Sequence, residues 1–123
     1  MARILIVDDS STVRKALRLC LSSEGYEVVA AKDGVEALGL ALKSRFDAII
    51  TDNFMPCMEG TDLVEALRQL IGYQSIPILI LSTDAEPSLK EKGRKAGATG
   101  WMRKPFNSKT LTTKLQVLLS SDT

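Results

Sequence analysis

The 123-residue sequence contains no histidine. This absence excludes a nucleophile activated in a serine–histidine–aspartate or cysteine–histidine arrangement, and it excludes zinc sites with histidine ligands. Any chemistry must therefore use carboxylates, hydroxyl groups and lysine.

Cysteines and long apolar runs are also scarce. Cys20 and Cys57 lie far apart and form no closely spaced pair, so the sequence indicates neither a zinc site nor a disulfide framework. No apolar run approaches the roughly 20 residues of a membrane span, and the run at 4–7 stops at two acids, unlike a signal peptide. We therefore expect a soluble cytoplasmic protein with no membrane insertion.

Charge of one sign is not in excess, since 16 Lys and Arg residues balance 15 Asp and Glu residues. The overall charge therefore gives no reason to expect a nucleic-acid partner or an anionic membrane surface. The length fits one compact core. We expect a monomer with a single domain over residues 1–123, and no room after Thr123 for a DNA-binding output domain.

Short aliphatic runs alternate with segments of helical periodicity along the whole chain. Five strands alternating with five helices favour right-handed crossovers and a parallel sheet. The predicted fold is α/β and flavodoxin-like (βα)5, with a doubly wound five-stranded parallel sheet in the order 2-1-3-4-5. The predicted strands cover residues 3–7, 26–30, 46–52, 76–81 and 99–103.

The helical segments carry apolar residues at helical spacing, which predicts their buried faces. The fourth helix, predicted over 87–96, is mostly charged, so we expect it to be short and weakly anchored. The predicted core positions of the helices include Ala16, Leu17, Val35, Leu38, Ala41, Leu42, Leu63, Leu67, Leu70, Ile71, Leu89, Ala96, Leu111 and Leu115.

Acidic residues follow two of the predicted strands. The third apolar run ends at Asp52 and the chain then breaks at Pro56, which places Asp52 at the carboxyl end of a buried strand. In the predicted order the first and third strands are neighbours, so Asp8 and Asp9 should face Asp52 at the edge where ligands bind in such sheets.

The other strand ends add hydroxyl groups and a lysine: Ser82 and Thr83 follow the fourth strand, and Lys104 follows the fifth. Two carboxylates about 4 Å apart repel each other by roughly 4 kcal/mol near a protein surface. Three clustered carboxylates therefore need more positive charge than one lysine supplies. Mg²⁺, or Mn²⁺ in its place, would supply that charge and leave open positions for phosphate oxygens. We expect phosphoryl chemistry with Asp52 as nucleophile, Lys104 offsetting charge and Ser82 donating to a phosphoryl oxygen.

Several motifs together resemble a response-regulator receiver domain, and in particular the single-domain chemotaxis regulators of the CheY type. The resemblance covers essentially the whole chain. It is carried by the segments 6–10, 51–52, 55–56, 59–60, 97–101 and 104–106, together with Ser82.

The resemblance implies that Asp52 accepts a phosphoryl group from the phosphohistidine of a partner histidine kinase. It also implies that Mg²⁺ is held by Asp9, Asp52 and the backbone carbonyl of Phe54, with Asp8 acting through water, and that the peptide bond after Lys104 is cis. The protein would assist its own phosphorylation and dephosphorylation, with a separate phosphatase as a further partner, and would not be a turnover enzyme.

The output implied by the resemblance is a switch in which Ser82 and Thr83 move and Trp101 turns inward. The surface of the fourth helix, fifth strand and fifth helix would then bind the flagellar motor switch protein, or alternatively the protein would pass phosphate to a histidine phosphotransfer protein in a phosphorelay. An acidic peptide is the expected ligand of its basic residues, which are Lys90, Lys92, Arg94, Lys95 and Arg103.

Three positions depart from the best-known members of that family. Phe54 stands two residues after the phosphoacceptor, where a polar residue often lies near the attacking water, and Asp84 is its counterpart after Ser82. Both are therefore expected to tune the rate of phosphate loss. Thr83 is bulkier than the alanine of many relatives, which could hinder an inward turn of Trp101.

Two other classes share parts of this pattern. A flavodoxin-type electron carrier has the same sheet, but Asp8 and Asp9 would repel the flavin phosphate. A haloacid-dehalogenase-type phosphatase also uses an aspartyl nucleophile, but its signature on the first strand and its cap domain are missing from this sequence.

Overall fold

The computed structural model describes residues 2–84 and 87–120, so the predicted domain limits at 1 and 123 lie outside the described residues. Strands and helices alternate throughout, and no helix within the described ranges is long and apolar enough to cross a membrane. The elements are β1 (Arg3–Val7), α1 (Ser11–Ser22), β2 (Glu27–Ala31), α2 (Gly34–Lys43), β3 (Ala48–Asp52), α3 (Gly60–Arg68), β4 (Ile78–Ser82), α4 (Pro87–Ala96), β5 (Gly100–Arg103) and α5 (Ser108–Ser120).

The strands form one parallel sheet in the order β2-β1-β3-β4-β5, which confirms the predicted fold. In register, Val7 of β1 lies opposite Thr51 of β3, and Asp52 lies opposite Leu81 of β4. The carboxyl ends of the three central strands therefore meet at one edge of the sheet.

Alternate residues of the central strands point to opposite sides of the sheet, and helices cover both faces. Leu5 and Ile49 pack with residues of α2 and α3 on one face. Ile6 and Ile50 pack with residues of α1 and α5 on the other face. This double burial explains why the strand sequences are continuously aliphatic.

Three helices begin with side-chain caps just beyond this edge of the sheet. Ser10 accepts a hydrogen bond from the backbone N–H of Val13 at the start of α1. Asp33 and Asn107 accept corresponding bonds at the starts of α2 and α5. Because a cap satisfies amides that have no partner within the helix, these residues fix where each helix leaves the sheet.

The first strand has the predicted bounds, and the other four strands differ from the predicted ones by one or two residues at one or both ends. The clearest case is β4, which spans Ile78–Ser82, whereas the sequence predicts 76–81. Pro77 has no N–H to donate to a neighbouring strand, which delays the start of the ladder. Ser82 pairs in register with Arg103 and so belongs to the strand.

Several predicted core positions are wrong. Ala16 and Val35 are exposed, as is Leu42 at 70%. The buried face of α2 consists of Gly34, Ala37 and Ala41, and the next residue along a helix points about 100° away from such a face.

The predicted third helix is also too long. The helix ends at Arg68, and Ile71, which was predicted to be buried, is 91% exposed. The chain turns at Gly72, whose φ of 91° lies in the left-handed region that favours glycine. Ile71 therefore lies on a loop at the amino-terminal end of β4.

The prediction of a short fourth helix is wrong, because Pro87–Ala96 is as long as α2 and longer than α3. Among its described residues, the buried one is Gly93, whereas Leu89 and Ala96, both predicted core positions, are only half-buried. The described part of α4 therefore adds no large fully buried side chain to the core, although the helix packs against α3.

Candidate functional site

The side chains predicted from the strand ends converge. The Lys104 Nζ atom lies 2.7 Å from Asp8 Oδ2 and 3.0 Å from Asp52 Oδ1. Asp8 follows β1 and Asp52 ends the neighbouring strand β3, whereas Lys104 follows β5, so the long Lys104 side chain reaches past the end of β4 to both carboxylates. The Lys104–Pro105 peptide bond is cis, as the resemblance implies.

Three carboxylates share this edge with the lysine. One oxygen from each of Asp8, Asp9 and Asp52 lies within 4.8 Å of the others. Asp8 and Asp52 are buried and Asp9 is exposed, so the cluster opens toward solvent on the side of Asp9. Oxygen-only donors with a surplus of negative charge are the ligand set that Mg²⁺ and Mn²⁺ prefer, so these residues fit such an ion.

Hydrogen bonds fix the orientation of Asp8. Its Oδ1 atom accepts from the backbone N–H of Ser10 at 2.9 Å, and its Oδ2 atom accepts from Lys104 at 2.7 Å. The Arg14 guanidinium donates to the Asp8 carbonyl oxygen at 2.7 Å. Because both carboxylate oxygens already accept protein hydrogen bonds, this arrangement suits an indirect role of Asp8 through water.

Burial raises the pKa of Asp52 above its ordinary value, and the nearby charge of Asp8 raises it further. The hydrogen bond and charge of Lys104, and the backbone N–H of Asn53 at 2.9 Å from Oδ1, lower the pKa but do not cancel the rise. Burial also lowers the pKa of Lys104, but its bonds to Asp8 and Asp52 more than offset this and the pKa is raised. The site therefore favours the positively charged form of Lys104 and disfavours a negative charge on Asp52.

The raised pKa predicts how Asp52 affects folding stability. Because folding favours the protonated carboxyl, Asp52 does not reduce the free energy of unfolding below the ordinary aspartate pKa. As the pH rises from there through the raised pKa, ionised Asp52 increasingly destabilises the folded protein. In EDTA, the melting temperature of Asp52→Asn should therefore exceed that of the wild type by a margin that grows from about pH 4 to about pH 7. A margin that is constant over this range, or equal to that of Asp47→Asn at an exposed acid, would contradict the prediction.

Ser82 is fully buried at the end of β4. Its Oγ atom accepts from the backbone N–H of Asp84 at 3.1 Å, and its carbonyl oxygen accepts from the backbone N–H of Lys104 at 2.8 Å. A backbone hydrogen bond therefore joins Ser82 at the end of β4 to Lys104 after β5, and this bond couples the positions of the two residues.

Trp101 packs on the α4 side of the sheet. Trp101 lies opposite Ile80 in register and its ring contacts Gly93, where an added Cβ would come within 3.0 Å of the ring. Thr83 is exposed and so does not fill this space. Phe54, at the other side of the acceptor, is 48% exposed.

Sequence reasoning missed Asn53. This residue is 1% exposed, and neither polar atom of its side chain has a hydrogen-bond partner in the part of the chain that the structure describes. The Oγ1 atom of Thr61 and the Nε1 atom of Trp101 share this condition. The signal available in the sequence was a polar residue directly after a continuous buried strand.

Replacing Asn53 by leucine, which has a similar shape, should stabilise the protein by about 1 kcal/mol or more, because a buried polar group without a partner costs about 1–3 kcal/mol. Urea unfolding of the unphosphorylated protein measures this change. The matched control is Asn107→Leu, which should destabilise by about 1 kcal/mol because it removes a helix cap. A destabilised Asn53→Leu variant would show that the amide has a favourable interaction.

The chain is similar in sequence and fold to proteins of known class. A family model described as response regulator receiver domain matches residues 4–116. The structure of the chemotaxis protein CheY4 of Vibrio cholerae is 47% identical with a TM-score of 0.93, over 96% of this chain and 98% of that chain.

Two further similar proteins are a receiver domain of a sensor histidine kinase and a longer response regulator. The receiver domain of the sensor histidine kinase PA1611 from Pseudomonas aeruginosa, solved with a magnesium ion in its active-site cleft, is 28% identical with a TM-score of 0.89, over 97% of this chain and 98% of that chain. Response regulator MprA of Mycobacterium tuberculosis is 42% identical over 118 residues, which cover 95% of this chain and 50% of MprA. The chain therefore spans about half the length of the curated relatives it matches.

Proposed function

Because the chain belongs to the response regulator receiver domain family, we propose that Asp52 accepts a phosphoryl group from the phosphohistidine of a histidine kinase. The observation that carries this proposal is the Lys104 ammonium group held between Asp8 and Asp52 at the open edge of the sheet. Family membership leaves no support for the electron-carrier and dehalogenase-type alternatives.

The proposed transfer needs little from the protein beyond position and charge. A carboxylate oxygen of Asp52 attacks the phosphorus atom while the bond from phosphorus to the kinase imidazole breaks, and its electron pair returns to the ring nitrogen. Lys104 offsets the charge on the phosphoryl oxygens, and Ser82 donates a hydrogen bond to one of them. The protein is consumed as an acceptor in each event, so it is not a turnover enzyme.

We propose that Mg²⁺, or Mn²⁺ in its place, is held by Asp9, Asp52 and the backbone carbonyl of Phe54, with Asp8 acting through water. When bound, the ion supplies positive charge that neutralises the transferring phosphoryl oxygens. The carboxylate geometry supports this assignment, because Asp9 is exposed while both oxygens of Asp8 accept hydrogen bonds.

The proposed output is a change at Ser82 and Trp101 that alters the surface of α4, β5 and α5. Phosphorylation adds about −1.5 to −2 charges and three acceptor oxygens beside Ser82. The described part of α4 buries no large side chain, which supports a movable element there. The likeness to a chemotaxis protein supports the flagellar motor switch as target, with the exposed basic residues of α4 and β5 contacting an acidic peptide.

A phosphorelay is the second candidate. In it the protein would pass the phosphoryl group from Asp52 to a histidine phosphotransfer protein instead of binding the motor. The likeness to the receiver domain of a sensor histidine kinase supports this alternative.

Transfer from histidine kinases tests the proposal directly. Purified kinases labelled with ³²P at their phosphohistidine are mixed with the protein, and label is expected on the protein with Mg²⁺ and not with EDTA. Acceptance from no kinase, together with no mass change in acetyl phosphate and Mg²⁺, would overturn the proposal. A further measurement separates the two outputs. Transfer of the label onward to a phosphotransfer protein would support the phosphorelay, whereas retention of the label together with binding to the motor switch protein would support the chemotaxis output.

Phe54 offers a test of the rate of phosphate loss. Its half-exposed ring takes the place of a polar side chain that could orient the attacking water, so Phe54→Asn should shorten the phosphoaspartate lifetime severalfold. Intact-mass measurements after removal of the phosphodonor give the lifetime. Ile71→Asn, far from the site, serves as the control, and an unchanged lifetime in Phe54→Asn would show that the ring does not limit hydrolysis.

A further inference from the structure

An open groove lies at the amino-terminal end of the sheet, opposite Asp52. It has a volume of about 300 Å³ and is lined by the end of α2, the following loop and the loop before β4. The residues that matter here are Leu42, Lys43, Arg45, Ile71 and Tyr73.

Two large aliphatic side chains of the groove are exposed. Leu42 is 70% exposed and Ile71 is 91% exposed, although helical periodicity predicts both as core residues. Single exposed apolar residues are ordinary on protein surfaces, but two that line one concavity form a surface that a partner's apolar side chain can cover.

The groove is held in shape by the residues beneath and beside it. Tyr73 is buried, and its hydroxyl group donates to the carbonyl oxygens of Ala41 at 3.1 Å and Ser44 at 2.6 Å. The Arg45 guanidinium lies directly over Gly72, in the space that a side chain there would fill. Because both walls are tied together, binding need not order a flexible loop first.

The two charged residues that line the groove, Lys43 and Arg45, are both basic. The exposed acid Asp47 lies outside the lining, but it is close enough that, besides burial, its charge raises the pKa of Tyr73. Lys43 and Arg45 are exposed, and neither takes part in the ion pairs found between described residues. No acidic residue lines the groove. We propose that this groove docks an acidic peptide segment of a partner protein, with aliphatic side chains against Leu42 and Ile71 and carboxylates near Lys43 and Arg45.

Other occupants fit these observations less well. A second copy of this chain docked through the same groove would bring Lys43 and Arg45 close to their own counterparts, which repel. Recognition of an anionic membrane surface generally uses clusters of about four to eight basic residues, and this groove has two. A concave site also suits an inserted side chain better than a flat bilayer surface.

The location makes this docking independent of the proposed phosphorylation. The groove precedes β3 and β4, whereas Asp52 and Ser82 end those strands, so a partner bound in the groove leaves the acceptor open. The surface could therefore hold the protein near its kinase or target in either state. The test accordingly uses unphosphorylated protein.

The probes are two synthetic amphipathic peptides with identical leucine spacing, one with glutamate and the other with lysine at every other position. By fluorescence polarisation, the glutamate peptide is expected to bind more tightly. Ile71→Ser and Leu42→Ser should each weaken it about tenfold or more, because each removes an apolar contact without changing the charge. Leu19→Ser, at a position 68% exposed on α1, is the matched control and should leave binding unchanged.

Charge reversal supplies the second arm. Combining Lys43→Glu with Arg45→Glu should make the protein prefer the lysine peptide. The proposal is overturned if the folded wild type binds neither peptide or both equally, or if Leu19→Ser weakens binding as much as Ile71→Ser. It is equally overturned if the groove variants abolish self-association in sedimentation or binding to phosphatidylglycerol vesicles while peptide binding is unaffected.

Discussion

Replacing Asp52 by asparagine is expected to abolish phosphorylation of the protein by acetyl phosphate in the presence of Mg²⁺. The amide cannot act as the nucleophile, although its size and its contact with the Asn53 N–H can be retained. Intact mass spectrometry after incubation should show the phosphorylated species in the wild type and none in the variant. This is the largest effect predicted for a single substitution.

The control for this experiment is an acid outside the site. Asp47 is exposed near the amino-terminal end of β3, where it accepts a hydrogen bond from the Arg3 N–H, and Asp47→Asn should be phosphorylated like the wild type. Phosphorylation of Asp52→Asn to the wild-type extent would show that a neighbouring acid, Asp8 or Asp9, is the acceptor. The assignment of Asp52 would then be wrong.

Replacing Lys104 by methionine is expected to destabilise the metal-free protein by about 3 kcal/mol, because removing one partner of a buried ion pair leaves the other uncompensated. Here two buried carboxylates, Asp8 and Asp52, lose the ammonium group that lies between them. Urea unfolding in EDTA measures the loss. Saturating Mg²⁺ should recover part of it, since a ligand that binds only the folded protein stabilises it.

Two variants make this second prediction specific. Lys15→Met, at an exposed position on α1, should change stability little, as is usual for surface sites. Adding Asp52→Asn to Lys104→Met should recover stability, because the neutral amide no longer needs the lysine. A loss in Lys104→Met no larger than in Lys15→Met would mean that solvent already compensates the carboxylates.

Much of the fold follows from the sequence because two periodicities are clear in it. Continuous aliphatic runs such as 4–7 and 78–81 are typical of strands buried on both faces, and alternation with helices then favours a parallel sheet. The site follows in turn, because Asp8, Asp52 and Lys104 come just where strands end. The arrangement at this edge is a property of chain order.

The features that were missed depend on contacts rather than on periodicity. The exposure of Leu42 and Ile71 depends on which face of α2 packs on the sheet and where α3 ends. Arg14 reaches the Asp8 carbonyl across a turn of backbone, and the backbone of buried Asn53 bonds to Leu81 and Gly60. Sequence patterns of one element at a time carry no information on such contacts.

The contact between Gly93 and Trp101 bears on how a signal could leave the acceptor site. Gly93 has no side chain that could interlock with the indole ring, so this contact does not oppose a small shift of α4 along the ring. The aliphatic layer beneath, including Ile80 and Leu63, can stay locked during such a slide. If α4 shifts on phosphorylation, the contact between Gly93 and Trp101 is therefore one at which no side chains need to separate.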